Sequence, residues 1–157
     1  MTIQDFYSRY FKPGIISTDS RKIDAGTIFI ALKGEQFNGN EFALSAIKSG
    51  ASVAVVDEPV EGPEGKLVRV KNSLEFLQKL AAYHRQKCKF NIIGLTGSNG
   101  KTTTKELIHA VLSVRFKVHS TQGNLNNHIG VPMTILSFAA DTEIGVVEMG
   151  ANHPGEI

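Results

Sequence analysis

The sequence predicts an α/β protein with parallel sheets and two domains. Residues 27–32, 41–49 and 51–56 read as an apolar strand, a helix with an apolar stripe and a second apolar strand, which is the order of a βαβ unit. A new strand, a glycine-rich turn and a helix begin at residue 91. Because a complete small α/β unit lies before that strand, we predict one domain over residues 1–87 and an incomplete second domain over residues 88–157.

The composition is that of a soluble globular protein. The 157 residues include 17 basic and 15 acidic side chains, a net charge of +2, so no dense basic surface for nucleic acid is expected. No apolar run approaches the roughly 20 residues of a membrane span, and residues 1–14 lack the apolar core of a signal peptide. We therefore expect a cytoplasmic protein without a membrane span or a nucleic-acid partner.

The elements of the first domain follow from apolar spacing and capping residues. Residues 2–11 form a short helix with one apolar face. Asn40 is expected to cap the helix over residues 41–49. The longest helix covers residues 73–87, and helical spacing places His84 on its packed face rather than in a ligand set.

The second domain is predicted to have three strands with two helices between them. The first helix runs from about residue 101 to residue 113 and is expected to turn Leu107, Ile108, Val111 and Leu112 toward the core. The strands are residues 91–95, 116–119 and 143–149, and the second helix is residues 131–138. Such sheets have roughly five or six strands, so we expect the chain to be a fragment.

Residues 91–104, NIIGLTGSNGKTTT, have the order of a phosphate-binding loop. A buried strand leads into a turn whose glycines allow backbone N–H groups to surround a phosphate at the start of a helix. Lys101 places a cation on the β- and γ-phosphates, and the Thr102 hydroxyl is placed to bind Mg²⁺. Leu95 stands where the usual motif has its first glycine, so this is a variant loop, and the alternative is an ordinary glycine-rich turn. The predicted nucleotide contacts are Thr96, Gly97, Ser98, Asn99, Gly100, Lys101, Thr102 and Thr103.

Further polar residues are expected at the same end of the sheet. Glu148 ends the last strand, where an acidic residue reaches the metal of a phosphate-loop enzyme, and we predict catalytic roles for Lys101 and Glu148. His153 either joins the metal shell or is structural. Residues 121–132, TQGNLNNHIGVP, form either a solvent loop or a polar binding loop.

A polar segment over residues 17–26 brings Asp19, Ser20 and Arg21 together. An arginine beside a hydroxyl can bind a phosphate or a carboxylate with two hydrogen bonds. The alternative is a solvated turn with a surface ion pair.

Four segments carry a family resemblance: TGSNGKT at residues 96–102, GNLNNHIGVP at 123–132, EMGANHPGEI at 148–157 and DSRKIDAGTIFIALKGEQFNGNEF at 19–42. The first three resemble the Mur ligases of bacterial cell-wall synthesis. The fourth is similar to the uridine-nucleotide-binding domain of that family. The second and third favour the branch that adds D-alanyl-D-alanine to UDP-N-acetylmuramoyl-tripeptide.

The resemblance implies a fold, substrates and site residues. The first domain would bind the UDP-sugar-peptide through Asp19, Ser20 and Arg21, and the second would bind ATP and Mg²⁺. A third domain, a modified lysine and the adenine contacts would lie beyond this chain, which is expected to be inactive alone. The whole enzyme would be monomeric and would form an acyl phosphate that reacts with the amine of D-alanyl-D-alanine. Residues implied to contact the UDP-sugar are Asn124, Asn126 and Asn127, and the implied metal ligands are Thr102, Glu148 and His153.

Three other functions stay open at this point. One is an amino-acid-adding member of the same family, and another is a UDP-sugar-binding module. The third is a nucleotide switch that binds GTP, although the chain has no N-K-x-D motif for guanine recognition. Nucleotide preference separates the ligase from the switch and from the binding module, because a ligase favours ATP and, in its N-terminal domain, uridine nucleotides, whereas a switch favours GDP or GTP.

Overall fold

A computed structural model describes residues 1–151, and it divides the chain into two compact units. The N-terminal unit is Met1–Leu80, and the C-terminal unit begins at Ala81. Helix α3 (Ser73–Lys87) begins in the first unit and ends in the second. The division therefore falls inside that helix, a few residues before the predicted boundary. The sequence could not place it there, because helical spacing does not reveal which unit each turn of a helix packs against.

The predicted α/β class with parallel sheets is confirmed. Both sheets pair their strands in parallel, four strands in the N-terminal unit and three in the C-terminal unit. Within the described part of the chain, no helix is long and apolar enough to cross a membrane.

The N-terminal unit packs helices on a sheet with the strand order β1-β2-β3-β4. All four residues of β3 are buried, and alanines on the helix after β2 allow it to lie close to the sheet. Strand β1 was not predicted, because its two residues are too few to show a pattern. The elements are α1 (Ile3–Tyr10), β1 (Ile16–Ser17), β2 (Ile28–Ile30), a 3₁₀ turn (Gly39–Phe42), α2 (Ala43–Lys48), β3 (Val53–Val56), β4 (Leu67–Arg69) and α3.

The predicted cap at Asn40 is wrong. Asn38 accepts the Asn40 amide N–H at 3.1 Å and so begins the 3₁₀ turn that precedes α2. Asn40 itself is buried, and its side-chain amide donates to Asp57 Oδ1 at 2.8 Å while accepting the Asp57 N–H at 3.0 Å. Burial raises the pKa of Asp57, but hydrogen bonds from Asn40 and from the Ser73 N–H outweigh burial and leave that pKa below its ordinary value.

The C-terminal unit has a sheet with the strand order β5-β7-β6. Val146 and Val147 of the central strand are buried, and Phe90 packs edge-on against Phe138 at 5.3 Å between ring centroids. The prediction that β5 is buried is wrong, because it lies at one edge of the described sheet and is partly exposed. The elements are β5 (Asn91–Leu95), α4 (Lys101–Leu112), β6 (Val118–Ser120), α5 (Gly130–Ser137) and β7 (Ile144–Glu148).

The predicted core face of α4 is wrong at two of its four positions. Leu107 and Val111 are 63% and 71% exposed, whereas Ile108 and Leu112 are partly buried. The buried residue of this helix is Lys105, at 2% exposed. The buried face of α4 was predicted from the positions of its apolar residues, and that prediction is wrong because a lysine lies at the centre of the face.

His84 lies in the core of the C-terminal unit, as its helical spacing predicted. Its side chain is buried, and Nε2 lies 3.0 Å from the Phe138 carbonyl oxygen. Burial lowers the pKa of His84 despite that hydrogen bond. Cys88, also buried, has its sulfur 3.6 Å from the same imidazole, and burial raises the pKa of its thiol.

Candidate active site

The loop between β5 and α4 depends on two glycines. Gly97 and Gly100 have φ angles of +145° and +76°, which residues with a Cβ atom rarely adopt. The loop from Thr96 to Gly100 is exposed, and α4 begins immediately after it at Lys101. The N–H groups at the start of a helix are free to bind an anion, so this loop can hold a phosphate at the positive end of α4.

The Lys101 side chain turns back over this loop. Its ammonium group donates to the Gly97 carbonyl oxygen at 2.6 Å. The cation therefore lies directly above the loop, as expected of a phosphate-loop lysine. Ser98 and Asn99 are exposed next to it, and so is Thr103 on the first turn of α4.

Thr102 and Glu148 are in contact. The Thr102 hydroxyl donates to Glu148 Oε2 at 3.0 Å. The register of the sheet brings them together, because Glu148 on β7 pairs with Leu95, the last residue of β5 before the loop. Parallel strands end at one edge of a sheet, so the acidic strand end and the loop meet there.

The Glu148 carboxylate is 2% exposed and held on several sides. Asn126 donates from its side-chain amide to Oε1 at 2.9 Å, and Thr102 donates to the other oxygen. The Glu148 backbone N–H donates to Thr121 Oγ1 at 2.9 Å. A buried carboxylate without partners would be unstable, and these donors fix its direction.

The oxygens of Thr102 and Glu148 fit a magnesium ion. Neighbouring ligands of an octahedral Mg²⁺ lie about 2.9 Å apart, since each Mg–O bond is about 2.1 Å long. The two side-chain oxygens are 3.0 Å apart. The described residues contain no group of three histidine, cysteine or acidic side chains that could hold a metal ion together, so a metal here would complete its shell with water and phosphate oxygens. The predicted ligand His153 lies outside the described residues.

The three asparagines predicted to bind substrate have different surroundings. Asn126 faces Glu148, and its backbone oxygen accepts the Gly150 N–H. Asn127 Oδ1 accepts the N–H groups of Ile129 and Gly130 at 3.1 and 2.8 Å, which begins α5. Asn124 is exposed. The structure thus gives protein partners to two of the three side chains, and their contact with a substrate stays a prediction.

In the N-terminal unit, Asp19, Ser20 and Arg21 line a cleft of about 480 Å³. The Arg21 guanidinium donates from Nε and Nη2 to the two Asp19 oxygens, both at 2.9 Å. These hydrogen bonds lower the pKa of Asp19 to about 2. The Arg21 side chain is 86% exposed, so the surface ion pair considered as the alternative is present, and it lies at the cleft.

Sequence reasoning missed several residues at the two sites. Phe37 and Phe42 add exposed rings to the cleft. The available signal was the Asn38-Gly39 dipeptide between them, which is typical of a turn. Thr121 and Lys105 support Glu148, but a buried lysine and a strand-end threonine have no distinctive sequence pattern.

Two family models match adjacent parts of the chain. The model described as the Mur ligase family catalytic domain matches residues 14–85, and the Mur ligase middle domain matches residues 95–156. The chain belongs to the Mur ligase family. The resemblance of its loop and asparagine segments is thereby confirmed, and they fall in the middle-domain match.

Curated relatives and solved structures agree with this family. The UDP-N-acetylmuramoyl-tripeptide–D-alanyl-D-alanine ligase of Bacillus subtilis is 45% identical over 144 residues, which are 90% of this chain and 32% of the relative. The ligase of the same name from Escherichia coli is 43% identical over 142 residues, 90% of this chain and 31% of the relative. This Mur ligase chain thus spans about a third of the length of these relatives.

Two crystal structures have the same fold. MurF from Acinetobacter baumannii superposes with a TM-score of 0.84 at 42% identity, covering 90% of this chain and 31% of that one. The MurF ligase of Thermotoga maritima, solved in complex with ADP, gives 0.81 at 34% identity and covers 90% and 33%. The arrangement of the strands and helices of this Mur ligase chain is therefore that of solved members of the family.

Proposed function

We propose that this chain supplies the UDP-substrate-binding and ATP-binding parts of a ligase that adds D-alanyl-D-alanine to UDP-N-acetylmuramoyl-tripeptide in peptidoglycan synthesis. The observation that carries the proposal is the contact between Thr102 and Glu148 at the end of an exposed glycine loop. The names of relatives at 45% and 43% identity support the choice of substrates.

The loop residues would act on the nucleotide. Backbone N–H groups after Gly97 and Gly100 would hold the phosphates of ATP, and Lys101 would exchange the Gly97 carbonyl for a phosphate oxygen. Thr102 and Glu148 would hold Mg²⁺, which neutralises charge on the transferring phosphoryl group. Positioning and charge stabilisation are the main demands of phosphoryl transfer, and these side chains meet them.

The reaction joins a carboxylate to an amine. The terminal carboxylate of the tripeptide takes the γ-phosphoryl group of ATP and releases ADP. The amine of D-alanyl-D-alanine then attacks the acyl carbon, and the products are an amide, inorganic phosphate and a proton. The role of this chain is to keep the donor phosphate and the acceptor peptide in place.

The cleft of the N-terminal unit would bind the uridine nucleotide. Arg21 is exposed and can donate two parallel hydrogen bonds to a diphosphate oxygen pair. Asp19 keeps the guanidinium in one orientation until the ligand replaces it. The exposed rings of Phe37 and Phe42 offer faces on which a base can stack.

The ligation assay tests this proposal. A protein of the relatives' length that begins with this chain should release phosphate only when ATP, UDP-N-acetylmuramoyl-tripeptide and D-alanyl-D-alanine are all present. A single amino acid in place of the dipeptide should give little turnover, which separates the amino-acid-adding branch. Release of phosphate from GTP without either acceptor would instead support a nucleotide switch and overturn the proposal.

The location and assembly of the whole protein belong to the same proposal. A cytoplasmic location follows from the use of ATP, and a monomer follows from the family resemblance. Fractionation of cells and sedimentation of the purified protein test these two points.

A further inference from the structure

Lys105 is a buried cation on the helix that carries the candidate metal ligand Thr102. It lies three residues after Thr102, so the two side chains are neighbours on one face of α4. Lys105 is 2% exposed, and its ammonium donates to the Thr121 carbonyl oxygen at 2.7 Å. It also lies 3.0 Å from a carboxylate oxygen of Glu106, whose side chain is 62% exposed.

Thr121 connects this ammonium to the central strand. It is fully buried just after β6, and its N–H donates to the Val146 carbonyl oxygen at 2.9 Å. Its hydroxyl accepts the backbone N–H of Glu148 at 2.9 Å. Thr121 is thus bonded both to α4 and to the end of β7.

The contacts form a closed ring. Starting from α4, Lys105 bonds Thr121, and Thr121 bonds Glu148. The Glu148 carboxylate accepts from Thr102, which returns to α4 one turn before Lys105. Because a helical turn is stiff, the ring holds α4 at a set distance from the ends of β6 and β7.

Stability does not explain a lysine at this position. An ammonium group loses water on burial, and one neutral carbonyl with one largely exposed carboxylate replaces that water only in part. An unbranched apolar side chain such as methionine would fill a similar space without that loss. What the ammonium adds is a directed bond to Thr121.

We propose that Lys105 is a positioning residue, which acts through Thr121 to set the separation of Thr102 and Glu148 at which a divalent cation binds. The inference rests on the proposed nucleotide site and deepens it. The ring predicts that removal of the ammonium leaves the loop intact and changes the geometry of the cation site.

The test measures cation binding rather than turnover. Mn²⁺ replaces Mg²⁺ as the probe, and free Mn²⁺ is counted by electron paramagnetic resonance with ADP and a protein of the relatives' length that begins with this chain. Loss of a partner that orients a metal ligand typically lowers metal affinity about 10–100-fold. We expect Lys105→Met to weaken Mn²⁺ binding to this extent, to change metal-free ADP binding less than about twofold, and to leave the melting temperature equal or higher.

A second variant and a control sharpen the result. Thr121→Val removes the hydroxyl that accepts the Glu148 N–H, so it should produce the same selective loss, and the double variant should lose little more. If Lys105→Met does not fold, the Mn²⁺ affinity of Thr121→Val alone tests the inference. Glu106→Gln keeps the Lys105–Thr121 bond and should leave Mn²⁺ affinity within about twofold.

Several outcomes overturn the inference alone. They are unchanged Mn²⁺ affinity in folded Lys105→Met or in Thr121→Val, an equal loss of ADP and Mn²⁺ with a lower melting temperature, and a Glu106→Gln variant as weak as Lys105→Met. Failure of the unaltered protein of the relatives' length to bind ADP with Mn²⁺ is a different result, because it overturns the proposed function and with it the site on which Lys105 would act.

Discussion

Both units have charged side chains at the carboxyl end of a strand, but they hold those side chains in different ways. In the N-terminal unit, Asp19 and Arg21 follow β1 directly and bond each other, with the arginine 86% exposed. In the C-terminal unit, Glu148 ends β7 at 2% exposed and is bonded to Thr102, Asn126 and Thr121.

This difference separates recognition from positioning. Water screens a solvated ion pair, so Arg21 can leave Asp19 for a ligand phosphate with little loss of stability. A buried carboxylate with a donor on each oxygen cannot turn without leaving those donors unpaired. The N-terminal cleft is therefore suited to ligands that come and go, and the Glu148 cluster to chemistry that needs fixed distances.

The largest expected effect is that of Lys101→Ala in a protein of the relatives' length. Removing a cation or donor that stabilises the transferring phosphoryl group typically lowers kcat about 10²–10³-fold. The KM for UDP-N-acetylmuramoyl-tripeptide should change less than about threefold, since that substrate is expected to bind the other unit. Steady-state phosphate release measures both quantities.

The matched control for this change is Lys89→Ala, an exposed lysine just before β5. It should leave kcat unchanged. Robust turnover by Lys101→Ala, or an equal loss in the control, would remove the phosphate loop from the proposed chemistry.

The next effect is that of Glu148→Gln on the magnesium requirement. Glutamine keeps the length of the side chain and can still bond Asn126 and Thr102, so the melting temperature should change little. It loses the negative charge that a hard cation prefers, and we expect half-maximal activity to need about 10–100-fold more Mg²⁺. An unchanged magnesium titration would show that Glu148 is not near the metal.

The sequence could predict this pair because its position depends on topology. Parallel strands end at one edge of a sheet, so the glycine loop after β5 and the acid at the end of β7 were expected on the same side. They meet because β5 and β7 are neighbouring strands. The α/β class was predictable because strand and helix patterns alternate along the chain. The residues that support the pair could not be predicted. Lys105 is buried although a lysine is expected to be exposed, and a sequence does not show which of the two asparagines, Asn126 or Asn127, contacts Glu148.

The third prediction is that Asn127 affects stability, whereas Asn126 affects the magnesium requirement. Asn127→Ala removes the acceptor at the start of α5 and should cost about 1 kcal/mol, a melting shift of about 2–4 °C. Asn126→Ala frees Glu148 Oε1 and should raise the magnesium requirement about tenfold. Calorimetry and a magnesium titration of the two single variants measure these effects.

The same variants test whether the loop contacts the sugar nucleotide. If both raise the KM for UDP-N-acetylmuramoyl-tripeptide and leave stability and magnesium dependence unchanged, then the contacts with α5 and Glu148 are secondary. The substrate role predicted for the loop from its family resemblance would then be the correct one.

The smallest expected effect is the acid dependence of the exposed ion pair. Hydrogen bonds from Arg21 hold the pKa of Asp19 at about 2, below its ordinary value of 3.8. Because the folded pKa is the lower one, ionised Asp19 stabilises the fold above pH 3.8, and this contribution disappears as the pH falls through about 2. Asp19→Asn should therefore unfold at a slightly lower urea concentration than the parent at pH 5–7, and the two should coincide near pH 2.

Arg21→Gln removes the same pair from the other side, which makes it the matched variant for that measurement. It should reproduce the small loss at pH 5–7, and the double variant should lose no more than either single one, since only one interaction is removed. A loss that stays constant down to pH 2 would mean that Asp19 stabilises the turn through its backbone contacts rather than its charge. A loss as large as that of Asn127→Ala would contradict the comparison between the two units, because an ion pair that water screens should contribute less than the partly buried Asn127 side chain, which accepts two backbone N–H groups before α5.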